Sequence, residues 1–281
     1  MGLLWKRKCQ ISVEGKQLSN LDVRFSIKRQ LGFGTGTAKV EIYNLSKENR
    51  VDLEKLYRAN IIVSAGYEDE MSQLFKGDLR TPITVRNGAD LITSLEGSDC
   101  SYLYGNAKAS IVVPPNSTGM DVADRLISAS TVAIGNLKQQ METKLKSIGF
   151  PNGLTYVGSP GELLQKLTSK CGYELSVQDG QFQACQIGKA INVKGQLLTA
   201  KTGLLKTPTP QRSNTPNVRL WNCEALIRPG LLPGRAVRIE STSINADLRI
   251  REVNFEGSTF EESWFANMVL EDLRYAIPGA F

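Results

Sequence analysis

Apolar and polar residues alternate with a period of two over most of the chain, and that pattern predicts strands. In the first hundred residues Ile11 and Val13, then Leu21, Val23, Phe25 and Ile27, then Val40, Ile42 and Tyr43, mark short half-buried strands bounded by Gly, Asn and Ser. At Asn44-Leu45-Ser46 the period changes. Ser46 is placed to cap a helix with Glu48 in its first turn, and Leu53, Leu56 and Tyr57 supply an i, i+3, i+4 face, which predicts about three turns. Alternation returns at Ile61-Ile62-Val63, at Gln73-Leu74-Phe75 and from Leu91 to Leu95. Five or six strands and one helix imply a small barrel or sandwich.

The middle of the chain is mixed. Thr118-Gly119-Met120-Asp121 has capping-box form ahead of a stripe through Ala123, Leu126, Ile127 and Ser130. A second helix is predicted from Ser159-Pro160-Gly161-Glu162: serine as cap, proline where its missing donor costs nothing, and Glu162 able to bond back. Leu163, Leu164 and Leu167 form its apolar face and Gly172 is placed to end it. Tyr173, Leu175 and Val177 then alternate up to Asp179-Gly180, a favoured hairpin turn, with Phe182 and Ala184 on the return. The helix and hairpin make a compact αββ unit. The last stretch alternates again at Val237 and Ile239, at Leu248 and Ile250, and at Trp264, Ala266, Met268 and Leu270. The predicted fold class is mainly β with some α (α+β): barrel-like domains at 1–100 and 197–281 flanking a mixed helix-and-hairpin domain at 101–196. No repeat of fixed period relates the outer segments.

Composition narrows the chemistry. At 281 residues, 41% hydrophobic and 22% charged, the chain is long enough for one large or several small cores. There is no histidine, which excludes Ser-His-Asp and Cys-His catalysis and histidine-ligated metals; an enzyme would have to run on carboxylates, lysine or a cofactor. The five cysteines, Cys9, Cys100, Cys171, Cys185 and Cys223, are widely spaced, so buried thiols are expected in preference to disulfides or a zinc site. No apolar run reaches membrane-helix length, and Lys6-Arg7-Lys8 interrupts any signal-peptide core, so synthesis in a cytoplasm without membrane insertion is expected. The net charge of +6 and pI near 9.0 permit a polyanionic partner, but the charges are interspersed.

Three features invite chemistry. Gly32-Phe33-Gly34-Thr35-Gly36-Thr37 leads into the strand-like Ala38 to Ile42 and not into a helix, so it reads as a flexible loop between strands, not as a phosphate cradle. Carboxylates at Glu68-Asp69-Glu70 and Glu261-Glu262 are neighbours in polar turns and lack the separation of a glycosidase pair, and Asp78, Glu96 and Asp99 lack metal-loop spacing. Trp5, Trp221 and Trp264 are too scattered for a base-stacking platform. No catalytic, cofactor-binding or metal residue is assigned, and no cofactor is expected.

A resemblance sharpens this reading. Thr199-Ala200-Lys201-Thr202-Gly203-Leu204, the turn-rich Arg228-Pro229-Gly230-Leu231-Leu232-Pro233-Gly234-Arg235 and Arg249 to Gly257 resemble the C-terminal part of the baseplate hub proteins of contractile-tailed bacteriophages. Thr37 to Ser46 is similar to the tail-tube-type barrel of that family, and Gly158 to Leu164 with Val177 to Gly180 to its central αββ unit. The resemblance implies two tail-tube-like barrels per subunit, and a homotrimer whose six barrels surround a channel. It implies a tail tube or tube-initiator protein on one face, a central spike protein on the other, further baseplate proteins around it, and phage DNA in transit. It implies a non-enzymatic virion protein of the tail baseplate. Two other readings stay open on the residues alone: an oligonucleotide-binding (OB-like) barrel, motivated by the pI, and a carboxylate-dependent glycan hydrolase.

Overall fold

The computed structural model describes residues 6–18, 20–32, 36–56, 59–68, 70–99, 108–130, 132–213 and 218–273. The first stretch contains β1 (Arg7–Val13), β2 (Lys16–Leu18), β3 (Val23–Gln30), β4 (Thr37–Tyr43), α1 (Lys47–Glu54), β5 (Asn60–Tyr67), β6 (Glu70–Leu79), β7 (Ile83–Asn87) and β8 (Asp90–Ser98). The middle contains β9 (Ala109–Val113), β10 (Ser117–Thr118), α2 (Gly119–Ser128), α3 (Leu137–Lys146), β11 (Gly149–Phe150), β12 (Leu154–Gly158), α4 (Pro160–Lys170), β13 (Tyr173–Gln178) and β14 (Gln181–Gln186). The last stretch contains β15 (Ile191–Leu198), β16 (Thr209–Gln211), β17 (Leu220–Leu226), β18 (Arg235–Glu240), β19 (Asn245–Ser258) and β20 (Trp264–Asp272). The fold is mainly β with some α, as expected.

Contacts divide the chain into two compact units: Met1–Gln30 with Gly36–Asp99 and Gly188–Phe281, and Leu31–Thr35 with Cys100–Ile187. In the first, the two outer stretches share one sheet, because β3 pairs antiparallel with β19 from Arg24↔Ser258 to Gln30↔Glu252. They also share one core. Phe25, Ile27, Val40 and Ile42 from the first stretch and Val237, Ile250, Phe255 and Trp264 from the last belong to a single buried cluster with Ile11, Ile61, Val63 and Phe75. Pooling apolar area from two segments is the physical reason for the join, since small sheets bury too little alone. At the join, Phe25 lies across from Gly257 in register; a Cβ on that glycine would stand 2.3 Å from the Phe25 ring. The missing side chain is what lets the ring cover the partner strand.

Among the described residues the second unit packs three helices and three two-stranded sheets around its own core. Its capping signals hold. Thr118 accepts from the Asp121 amide while Asp121 takes the Thr118 amide, completing the box that starts α2. Ser159 accepts from Glu162 N with Pro160 at the first helical position of α4, and Gly172, at φ +78°, follows its C-cap. Asp179 and Gly180, both at positive φ, turn β13 into β14.

Several elements depart from the sequence expectation, α1, β7 and α3 among them. Helix α1 has 8 residues, fewer than three turns: only Leu53 is buried in it, and the Leu56 amide already bonds back to Leu53 O in a tight turn. Tyr57 lies outside the described residues. Strand β7 offers no buried alternation, because Ile83 and Val85 are exposed and its partner face is short. Helix α3 is not among the predicted helices, although Leu137, Met141 and Leu145 are buried at i, i+4, i+8. It carries no capping signature, because the Asn136 amide group is spent on β14, accepting from Ala184 N at 2.8 Å and donating to Ala184 O at 3.2 Å.

Candidate assembly surface

The positions that invited chemistry resolve into structural roles. Gly36 N donates to Asp99 Oδ1 at 2.7 Å and Asp99 N to Gly36 O at 3.1 Å. An amide already held by a carboxylate is not available to a phosphate, and a Cβ at Gly36 would meet that carboxylate at 2.3 Å. Residues 33–35 of this glycine-rich stretch lie outside the described residues, as does Asp69. Glu68 is exposed and paired with Lys6 at 2.7 Å and Lys8 at 3.7 Å, and the Lys6 hydrogen bond holds its carboxyl below the usual range. Glu261 binds the Arg24 guanidinium, which raises the arginine's pKa, and its carbonyl accepts from Arg7 Nη1 at 2.9 Å. Burial pushes the Cys9 and Cys223 thiols up to about 12, so neither is a nucleophile at neutral pH. Among the described residues no group of three or more Cys, Asp or Glu side chains could hold a metal ion.

What the fold does build is a broad sheet face. Eight strands run side by side in the order β7-β8-β4-β3-β19-β20-β17-β16, every neighbour antiparallel. Four come from the first stretch and four from the last. Alternation sends Phe25, Ile27, Val40, Val253, Phe255, Trp264 and Ala266 into the core and the intervening residues outward. In register, one outward row reads Phe265, Glu256, Ser26, Lys39, Glu96, and the next reads Glu224, Asn267, Asn254, Lys28, Thr37.

On this basic protein the face carries both signs. Among its described outward positions on β3, β4, β8, β17 and β19, Arg24, Lys28 and Lys39 stand against Glu41, Glu96, Glu224, Glu252 and Glu256. Ion pairs on it are local: Lys28 to Glu252 across strands at 2.9 Å, Lys39 to Glu41 along β4 at 2.8 Å, the latter holding the Lys39 pKa above its usual value, Lys206 to Glu224 at 2.7 Å and Arg80 to Glu96 at 3.9 Å. A hollow of ≈ 550 Å³, lined by Arg24, Ser26, Lys39, Glu41, Glu256 and Glu261 among others, opens on it.

The two ends of the run are free strand edges. Among the described residues β7 pairs only with β8 and β16 only with β17, while β8 also pairs with β6 at Asp78↔Ser98 and Leu79↔Gly97, through which the sheet continues to β5, β1 and β2. Beside the β7 edge the polar face gives way to an apolar strip: Tyr43, Ile92 and Val85 are neighbours in register, Phe260 meets Tyr43 edge-on at 4.9 Å, and Ile83, Val85 and Phe260 are 62%, 57% and 46% exposed. Exposed edges flanked by apolar side chains are what an assembling sheet leaves for its partner. Sequence reading could see the alternation but not which face each row would join.

No protein-family model matches the sequence, and no curated protein matches it. Solved structures do. A tail protein from Neisseria meningitidis MC58 superposes with a TM-score of 0.66 at 11% identity, covering 95% of this chain and 97% of that one. A 43 kDa tail protein of prophage MuSo2 from Shewanella oneidensis gives 0.64 at 13% identity, with 94% and 96% covered. An E. coli type VI secretion component described as structurally similar to the T4 tail proteins gp27 and gp5 gives 0.61 at 11% identity, with 95% and 77% covered. The chain therefore has the fold of phage tail proteins and of a related secretion-system component, over nearly its whole length.

Proposed function

We propose that this chain is the structural hub of a contractile phage-tail baseplate or a related injection machine: a homotrimeric ring that joins a sixfold tail tube to a threefold central spike. The observation that carries the reading is the eight-stranded antiparallel run with two free edges, four strands from each of two chain segments. An even number of alternating strands leaves β7 and β16 antiparallel to each other, so β16 of one copy can pair with β7 of the next in the same sense in which β3 pairs with β19. Three copies joined this way carry twenty-four strands. At ~4.8 Å per strand the wall would be roughly 115 Å around and about 37 Å across before tilt, too wide to be filled by side chains.

Two four-stranded halves per copy make six around the ring, which is how a threefold assembly meets a sixfold one. The division into tube-like modules at 1–100 and 197–281 around a mixed domain at 101–196 belongs to this proposal. The polar face would line the channel through which a DNA or effector cargo passes. The chain works by geometry and not by catalysis, inside the virion tail, with tube and spike proteins as its axial neighbours.

Light scattering on the purified protein tests the ring: about three times the 30.9 kDa chain mass is expected. Val85→Lys, a change at an exposed position, should return the mass to that of one chain without lowering the melting temperature. A tail tip shown by imaging or mass spectrometry to lack this chain overturns the proposal.

A further inference from the structure

The chain contains two Asn-Gly pairs, Asn87-Gly88 and Asn152-Gly153, and the fold treats them differently. A glycine after asparagine puts no side chain between the backbone nitrogen and the carboxamide carbon, so the nitrogen can attack Cγ if the local backbone is free to turn. Both asparagines are exposed. Asn87 ends β7 and pairs with Asp90 across the two-residue turn Gly88-Ala89. Gly88, at φ +61°, holds the first central position of that turn, where glycine is favoured. Strand pairing engages the Asn87 backbone but leaves the Gly88 amide outside the ladder, and a Cβ on Gly88 would meet nothing within 4 Å. Freeing this tip costs one terminal pair of a strand that, among the described residues, pairs only with β8.

Asn152-Gly153 is closed. Gly153 N donates to Phe150 O at 3.0 Å, completing a turn with Pro151 and Asn152 at its centre. Gly153 also lies against backbone: a Cβ there would stand 2.5 Å from Val113 O and 3.1 Å from Pro114 C. Its nitrogen is spent on a carbonyl, and turning it toward Asn152 Cγ would break that bond. We propose that Asn87 is a site of spontaneous deamidation and that the fold protects Asn152. The Gly88 nitrogen attacks Asn87 Cγ: the N–Cγ bond forms, the Cγ–Nδ2 bond breaks, and ammonia leaves with the amide proton. Water then opens the five-membered imide at either carbonyl, leaving aspartate or isoaspartate at position 87, with nothing oxidised or reduced. The new carboxylate faces Asp90 in register, and like charges directly opposite destabilise a strand pair, so the modified β7 is held more loosely. The inference goes beyond the ring reading and needs no second copy of the chain.

The test is a time course of the purified chain in mildly alkaline buffer, followed by peptide mass spectrometry, with isoaspartate detected by an isoaspartyl methyltransferase. Expected is conversion of Asn87 about tenfold or more faster than Asn152, the order of protection that one structural hydrogen bond provides. In urea, where both pairs are unfolded, the two rates should come together. Both aspartate and isoaspartate should appear at position 87, and Asn87→Gln, whose longer side chain cannot close the five-membered ring as readily, should lose the signal while keeping the fold. Amide exchange in β7 should be faster in aged protein than in Asn87→Gln aged alike. Equal rates in the folded chain, faster conversion of Asn152, aspartate without isoaspartate, or unchanged β7 exchange overturns the proposal.

Discussion

Gly257→Ala is the sharpest test of how the two outer segments are joined. The added Cβ would stand 2.3 Å from the Phe25 ring, where ordinary contacts begin near 3.4 Å. The ring must therefore retreat by about an ångström, yet Phe25 is 2% exposed and packed edge-on against Trp264 at 5.6 Å. Forcing a methyl into such a site costs about 1–3 kcal/mol. Tryptophan fluorescence during urea unfolding reports on the right unit, because Trp221 and Trp264 belong to it. With a slope of about 2 kcal/mol per molar, the midpoint should fall by roughly 0.5–1.5 M. In a Phe25→Leu background the cost of Gly257→Ala should shrink, since the smaller side chain can yield. An unchanged midpoint, or the same loss in both backgrounds, would refute the contact as the cause.

Further outcomes follow from the same physics. Arg249 and Glu271, 0% and 1% exposed, bond through Nη2 at 2.8 Å and Nε at 3.2 Å. Glu271→Gln or Arg249→Met should cost about 3–5 kcal/mol by urea titration, and the double change to apolar residues should recover much of it. Thr118→Ala should remove about 1 kcal/mol from the second unit, read by hydrogen exchange in α2. Asp121, held below its usual pKa chiefly by the Thr118 backbone hydrogen bond, stabilises the fold above the unfolded aspartate pKa of ~3.9. That contribution is lost as pH falls through the folded value, so protection of α2 should drop on acidification and be pH-independent there in Asp121→Asn.

Much of this molecule could be read from residue order, because the signals are local. A serine ahead of proline and glutamate, a threonine three residues before aspartate, and Asp-Gly between alternating runs each fix backbone geometry within a few residues. They placed α2, α4 and the β13-β14 hairpin in the structure as expected. The period-two runs likewise told inward from outward residues on β1, β3, β4 and β20. Where the local signal was spent elsewhere, reading failed: Asn136 serves β14 in place of capping α3 by its side chain, and β7 exposes the residues that would mark a buried strand.

What only the tertiary structure decided is which strands are neighbours. Nothing near Arg24 or Ser258 announces that they will face each other 234 positions apart, because strand pairing depends on which apolar faces share a core. From that one pairing come the eight-strand run, its polar face and its two end strands. The sequence by itself determined local turns, caps and the inward faces of strands. Long-range burial of apolar area, a property of the whole chain and not of any window of it, determined the surface on which the proposed function rests.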